Sequence, residues 1–125
     1  LKRDQRGVEP LARCYWCDAV SGFDTVIDHV VPRSKGGPDE SWNAVPACPA
    51  CNTAKSDMWP TDFAAHRLYD RISANSSRPM DYARASDWLL NRRARAMQVE
   101  EEFKRWAVES NHQHALRQLT RREAD

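Results

Sequence analysis

The chain has 125 residues, 41% of them hydrophobic and 30% charged. That balance describes a globular chain, one domain or one small domain with an appendage, and not a disordered one. A net charge of +1 excludes a globally basic nucleic-acid binder, so any surface that meets a polyanion is local.

Residues 1 to 13 mix charge with Val8 and Leu11 and are expected to form a short helix or extended lead-in. The chain starts at Leu1 rather than Met, as a fragment or processed chain does. Thr25-Val-Ile-Asp28 is a short β-branched run and predicts a strand, ended by Pro32. The stretch from Ser34 to Ser41 holds two glycines and a proline and reads as a loop. Ala44-Val-Pro-Ala47 is the returning strand, confined to an edge by Pro46, and a helix opens near Cys51. From Pro60, with Thr61-Asp62 as its start, a helical apolar pattern runs to about residue 73. A turn is expected over residues 75 to 79, and a long helix from Asp81 to near Glu109. Asn111 breaks it before a last helix over residues 113 to 123. No apolar run is long enough to span a membrane, and the first residues do not form a signal peptide.

All four cysteines fall in two CxxC pairs, Cys14-Tyr-Trp-Cys17 and Cys48-Pro-Ala-Cys51. Ligands two residues apart reach one ion, so the pairs predict a single four-thiolate zinc site. A unit this small needs such a staple, because its core alone is insufficient. A closed shell of four thiolates leaves no open position, so this zinc is structural. Four reduced thiolates point to the cytoplasm.

Between the pairs lies Asp28-His29-Val-Val-Pro-Arg-Ser-Lys-Gly-Gly37. Asp28 offers a hard oxygen ligand for a divalent cation, and His29 a base that titrates near neutrality. Phosphodiester hydrolysis needs both, a cation for the developing charge and a base for the attacking water. Neighbouring strand residues point to opposite faces, so the pair serves one site only if the strand ends or twists there. Asn52 and Lys55 sit three apart on one face of the next helix. Asn52 is a metal contact or a helix cap. Lys55 is a phosphate contact, a solvated lysine or a counter-charge for the thiolates. Arg33 and Lys35 are further phosphate contacts, and Gly36-Gly37 lets the loop turn and approach a phosphate closely. Trp16, expected to be exposed between two ligands, is the one tryptophan considered for base contact. His66, His112 and His114 lack partners at metal spacing and read as non-functional.

These residues, with Trp42-Asn43 and Ala47-Cys-Pro-Ala-Cys-Asn-Thr-Ala-Lys55, resemble the HNH endonuclease family over residues 13 to 58. The resemblance implies an α+β fold, a small zinc-stapled ββα-metal nuclease core over residues 1–58, followed by a C-terminal α-helical extension over 59–125. It implies that Asp28 binds the catalytic ion, that His29 is the general base, and that Asn43 pins the loop and the base by hydrogen bonds. Asn52 stands where many members carry His, which makes this an HNN variant with a weaker ion site for Mg²⁺ or Mn²⁺. The expected activity is metal-dependent cleavage of DNA, nicking as a monomer and cutting both strands as a dimer. The alternative is a zinc-knuckle DNA-binding or scaffold module without chemistry.

In the extension, Arg92, Arg93 and Arg95 are followed at once by Glu100, Glu101 and Glu102. The helix therefore reads as a packing element rather than a DNA surface. Its apolar positions Leu89, Val99, Phe103 and Trp106 are expected to cover the core or a second copy of the chain, which leaves a homodimer open.

Overall fold

The computed structural model describes residues 12–75 and 80–124. Strand β1 (Ala12–Arg13) pairs antiparallel with β2 (Val20–Ser21), closing the turn that carries Cys14 and Cys17. Strand β3 (Val26–His29) pairs antiparallel with β4 (Ala44–Ala47), setting Asp28 opposite Val45 and His29 opposite Ala44. The strand thus extends one residue past its predicted end and makes His29 its last member. Pro46 donates nothing to the ladder, but its carbonyl accepts from Tyr15 N at 2.8 Å, which ties β4 to the first knuckle.

Helix α1 (Pro49–Lys55) starts two residues earlier than expected. Pro49 occupies a first-turn position where no N–H is required, and the Cys48 sulfur accepts from Cys51 N at 3.4 Å. The single helix predicted from Pro60 is two, α2 (Pro60–His66) and α3 (Leu68–Ala74), broken at Arg67 with φ −126°. The break lets Phe63 and Ala64 of one helix and Leu68 and Ile72 of the other sink into the same core. Of the turn expected over 75–79, only Asn75 is described; residues 76–79, like the lead-in 1–11, lie outside the described residues. Helix α4 (Tyr82–Glu109) is opened by Asp81, whose carboxylate accepts from Arg84 N at 2.8 Å. Asn111, at φ 50°, marks the expected break before α5 (Gln113–Ala124). No described helix is long and apolar enough to cross a membrane.

Among the described residues, small paired strands, five α-helices and four gathered cysteines make an α+β fold with a C-terminal helical region, as the sequence implies. Its core is shared along the chain. Trp16 and the cysteines pack with Phe63, Leu68, Ile72 and Ala85, while Val31 packs with Trp59, Phe103, Ala107, Ala115 and Leu119. Phe103 is completely buried, and Leu89, Val99 and Trp106 are partly buried against these clusters. The apolar face expected to cover either the core or a partner is therefore covered within the chain.

The two loop glycines are required by contact. A side chain on Gly37 would fall 1.8 Å from Val31 O, and one on Gly36, which sits at φ +88°, would fall 2.8 Å from Ala115 Cα of α5. The close approach read from sequence as one to a phosphate is an approach to the protein itself. Gly36→Ala is expected to destabilise the fold by about 1–3 kcal/mol, because it combines a left-handed backbone with a contact against helix backbone. Urea denaturation measures this; an unchanged midpoint would mean that α5 does not bear on the loop.

Candidate metal centre and catalytic loop

Two backbone turns deliver the four sulfurs. In the first, Asp18 N donates to Cys14 O at 2.9 Å and Asp18 adopts φ 64°, which folds Cys17 back towards Cys14. In the second, Cys48 precedes α1 and Cys51 lies in its first turn. All four cysteines are buried and unbridged, with their sulfurs within 4.8 Å of one another. Cys17 Sγ and Cys48 Sγ are 3.8 Å apart. A tetrahedral ion with bonds of about 2.3 Å to sulfur requires sulfur–sulfur edges of about 3.8 Å, so the donor set fits zinc. Crowding also splits the thiols. The Cys17 hydrogen bond holds Cys14 down to about 2, whereas the same bond pushes Cys17 up to about 12 and contact with Cys14 raises Cys51 as well. A cation is the natural replacement for those retained protons.

Arg71 of α3 reaches this cluster, a role that the sequence did not reveal. Burial pulls its pKa down, and the neighbouring Cys51 and Cys48 hold it above the ordinary value, while its Nε makes no hydrogen bond among the described residues. Arg71 therefore stands beside the cysteines, a place for which Lys55 was one candidate.

Lys55 instead lies under β3. It is completely buried, and Nζ donates to His29 O at 2.9 Å and to Asp28 Oδ1 at 3.3 Å. Burial lowers its pKa, opposed by the Asp28 charge. A completely buried ammonium does not contact a phosphate on the surface, which corrects that reading of Lys55. Trp16 is corrected in the same way. It is fully buried, edge-on to Phe63 at 5.0 Å, and its Nε1 donates to Asp28 Oδ2 at 3.0 Å. Asp28 therefore carries one hydrogen bond on each oxygen and is only 5% exposed. Asn52, by contrast, is exposed, and its amide makes no hydrogen bond among the described residues. The three-residue spacing places Asn52 and Lys55 on opposite sides of the boundary between solvent and core.

His29 closes β3 next to the buried Asp28, and its own side chain is 21% exposed. His29 Nε2 lies 2.6 Å from Asp39 Oδ1, and Arg33 Nη2 donates to the same oxygen at 2.8 Å. Arg33 Nε is 3.4 Å from His29 Nε2. One nitrogen cannot donate to a carboxylate and accept from a guanidinium, so the shorter contact defines Nε2 as the donor and leaves the Nδ1 lone pair free. The His29 hydrogen bond, together with Arg33, holds the Asp39 carboxyl below the usual carboxylate range. Arg33 is thus engaged within the loop, whereas Lys35 makes no ion pair among the described residues. Asp39 was missed in the sequence, where it is one polar residue of a loop.

Asn43 fixes that loop. It is completely buried; Oδ1 accepts from Val31 N at 2.8 Å, and Nδ2 donates to Val31 O and Pro38 O at 3.0 Å each. Its backbone carbonyl accepts from Val30 N at 2.9 Å. The amide therefore clasps both ends of the loop immediately after His29.

Residues 13–58 match the family model described as HNH endonuclease. The matched segment, well under half of the chain, includes both cysteine pairs, Asp28, His29, Asn43 and Asn52. No curated protein and no solved structure matches the chain.

Proposed function

We propose that the protein is a zinc-stapled, divalent-metal-dependent DNA endonuclease, with residues 1–58 as the nuclease unit and 59–125 as a helical extension. The observation that carries this reading is His29, accessible at the end of β3, with Nε2 committed to Asp39 and Nδ1 free to take a proton. In this reading Nδ1 removes a proton from the water that attacks phosphorus. Asp39 holds the imidazole in its reactive tautomer and stabilises the imidazolium that forms. Asn43 holds the loop that carries Asp39 at its distance from β3. Asp28 and Asn52 are hard oxygen donors and would hold Mg²⁺ or Mn²⁺, which supplies charge stabilisation at the phosphate and the leaving oxygen. Lys55 offsets the charge of Asp28, so an ion held there would bind weakly and would leave positions for water or phosphate oxygens. Lys35 contributes a phosphate contact. One such site nicks, and a dimer would cut both strands. The four unbridged cysteines fit a reducing, cytoplasmic setting.

One observation favours the non-catalytic alternative. Asp28 is buried and bonded on both oxygens, as a structural carboxylate would be. Supercoiled plasmid incubated with protein and Mg²⁺ or Mn²⁺ separates the two readings. The expected result is nicking that stops reversibly on mild chelation, with Asp28→Ala less active than Asn52→Ala and less readily rescued by excess Mn²⁺. Cleavage indifferent to chelator, or no cleavage with either ion, would sink the metal-dependent nuclease reading.

A further inference from the structure

Helix α5 is attached directly to the catalytic loop. Ala115 lies against Gly36, His114 Nε2 is 3.1 Å from Ser34 O, and Ala115 and Leu119 are buried with Val31, Trp59 and Phe103. Ser34 belongs to the 3-10 turn Arg33–Lys35, which follows His29 by four residues. The first turn of α5 therefore rests on the turn that follows His29. His114, Arg117, Gln118 and Arg121 follow at spacings of three and four residues, which form one stripe on a helix. Gln118 and Arg121, with Lys35, Trp59, Asp62 and Arg122, line an open groove of about 680 Å³.

The charges along this groove are not equivalent. Arg122 is seated over Trp59 at 4.6 Å and bonded to Asp62 at 3.0 Å and Glu100 at 3.2 Å, so it belongs to the scaffold. Lys35, Arg117 and Arg121 make no ion pair among the described residues, and Arg117 and Arg121 are exposed. On helix α4, Arg92 is folded over Tyr15 and Trp88, and Lys104 and Arg105 are paired with Glu101 and Glu102, while Arg84, Arg93 and Arg95 are exposed without an ion pair among the described residues. Beside the catalytic loop, unpaired positive charge stands at Lys35, Arg117 and Arg121, in a chain whose net charge is only +1.

We propose that α5 is a DNA-backbone binding element, in which Arg117, Arg121 and Lys35, with His114 and Gln118 as hydrogen-bonding partners, hold the phosphates flanking the one presented to His29. The proposal rests on the nuclease reading. A helix of 12 residues is about 18 Å long, and one DNA strand places a phosphate every ~3.4 Å along the axis, so α5 spans about five phosphates. Contacts of this kind position a duplex without reading its sequence. They give the metal-binding and base residues a substrate held in register on one side of the loop.

The test measures binding of a labelled duplex of about 20 base pairs to full-length His29→Ala protein across a salt series. In that background, Arg117→Gln with Arg121→Gln is expected to weaken binding by about tenfold and reduce the slope of log affinity against log salt by about 2. Arg93→Gln with Arg95→Gln on α4 is expected to change neither. Gln118→Glu, which places a negative charge in the same stripe, is expected to weaken binding independently and reports if the arginine pair fails to fold. Unchanged binding in both α5 variants, or an equal loss in the α4 variant, would overturn the proposal, as would a parent protein that binds no duplex. A wild-type protein that binds the duplex through α5 yet cuts no plasmid would retain the surface and remove the nuclease.

Discussion

Changing Cys48 or Cys51 to Ser is expected to release zinc and unfold the segment from β1 to α1. A structural zinc contributes on the order of 10 kcal/mol to the folding of such a unit, which is comparable to the whole stability of an ordinary domain, about 5–15 kcal/mol. Nothing else in the segment offsets that loss, because β1 and β2 are two residues each and β3 and β4 are four. Cys48 has a second role, since its sulfur accepts from Cys51 N at the start of α1. The helix that carries Asn52 and Lys55 is thereby lost with the metal. Elemental analysis and circular dichroism check the result. About one zinc per wild-type chain and a collapsed spectrum in the variants are expected; a folded, zinc-free wild type with bridged cysteines would sink the assignment.

His29→Ala is expected to lower plasmid cleavage by about 10²–10⁴-fold, the range for removal of a general base, while zinc content and thermal stability stay near wild type. The imidazole is partly exposed, and its removal breaks contacts only with Asp39 and Arg33, both exposed. The Lys55 bond is to the backbone carbonyl of His29, which the substitution retains. The pH profile adds a signature. Asp39 has its pKa depressed in the folded protein, so its interaction with His29 is present above the ordinary carboxylate pKa and is lost only as pH falls through the lowered one. The Asp39 contact therefore persists at neutral pH and is lost only under acid conditions. Wild-type cleavage by the alanine variant would remove the proposed mechanism, and an unfolded variant would make His29 structural.

What the sequence made legible is what chain-local spacing controls. The cysteine pairs, the strand ending at Asp28-His29 and the break at Asn111 each depend on residues close together in the chain. The misread residues are those whose surroundings come from elsewhere. Lys55 meets Asp28 across 27 residues, and Trp16 meets it across 12. No helical periodicity reports that Lys55, at the end of α1, is covered while Asn52 is not. Asp39 lies ten residues from His29 in a loop whose path is set by Asn43, so its proximity emerges only once that amide has closed on Val31 and Pro38. The contact of His114 with Ser34 spans 80 residues, and a histidine without nearby partners in sequence carried no sign of it.

The hydrogen bond from Trp88 Nε1 to Trp16 O, at 2.6 Å, and that from Asn75 Nδ2 to Cys17 O, also at 2.6 Å, bear on protein engineering. Both anchor the first zinc turn to residues beyond the matched segment. A cassette of residues 13–58 fused to an unrelated DNA-binding module would keep every metal ligand yet leave these carbonyls, and the indole of Trp16, facing water. Transplanting the proposed activity therefore means moving α2 to α4 with it, and a host's own helices would have to be redesigned to grip the same two carbonyls.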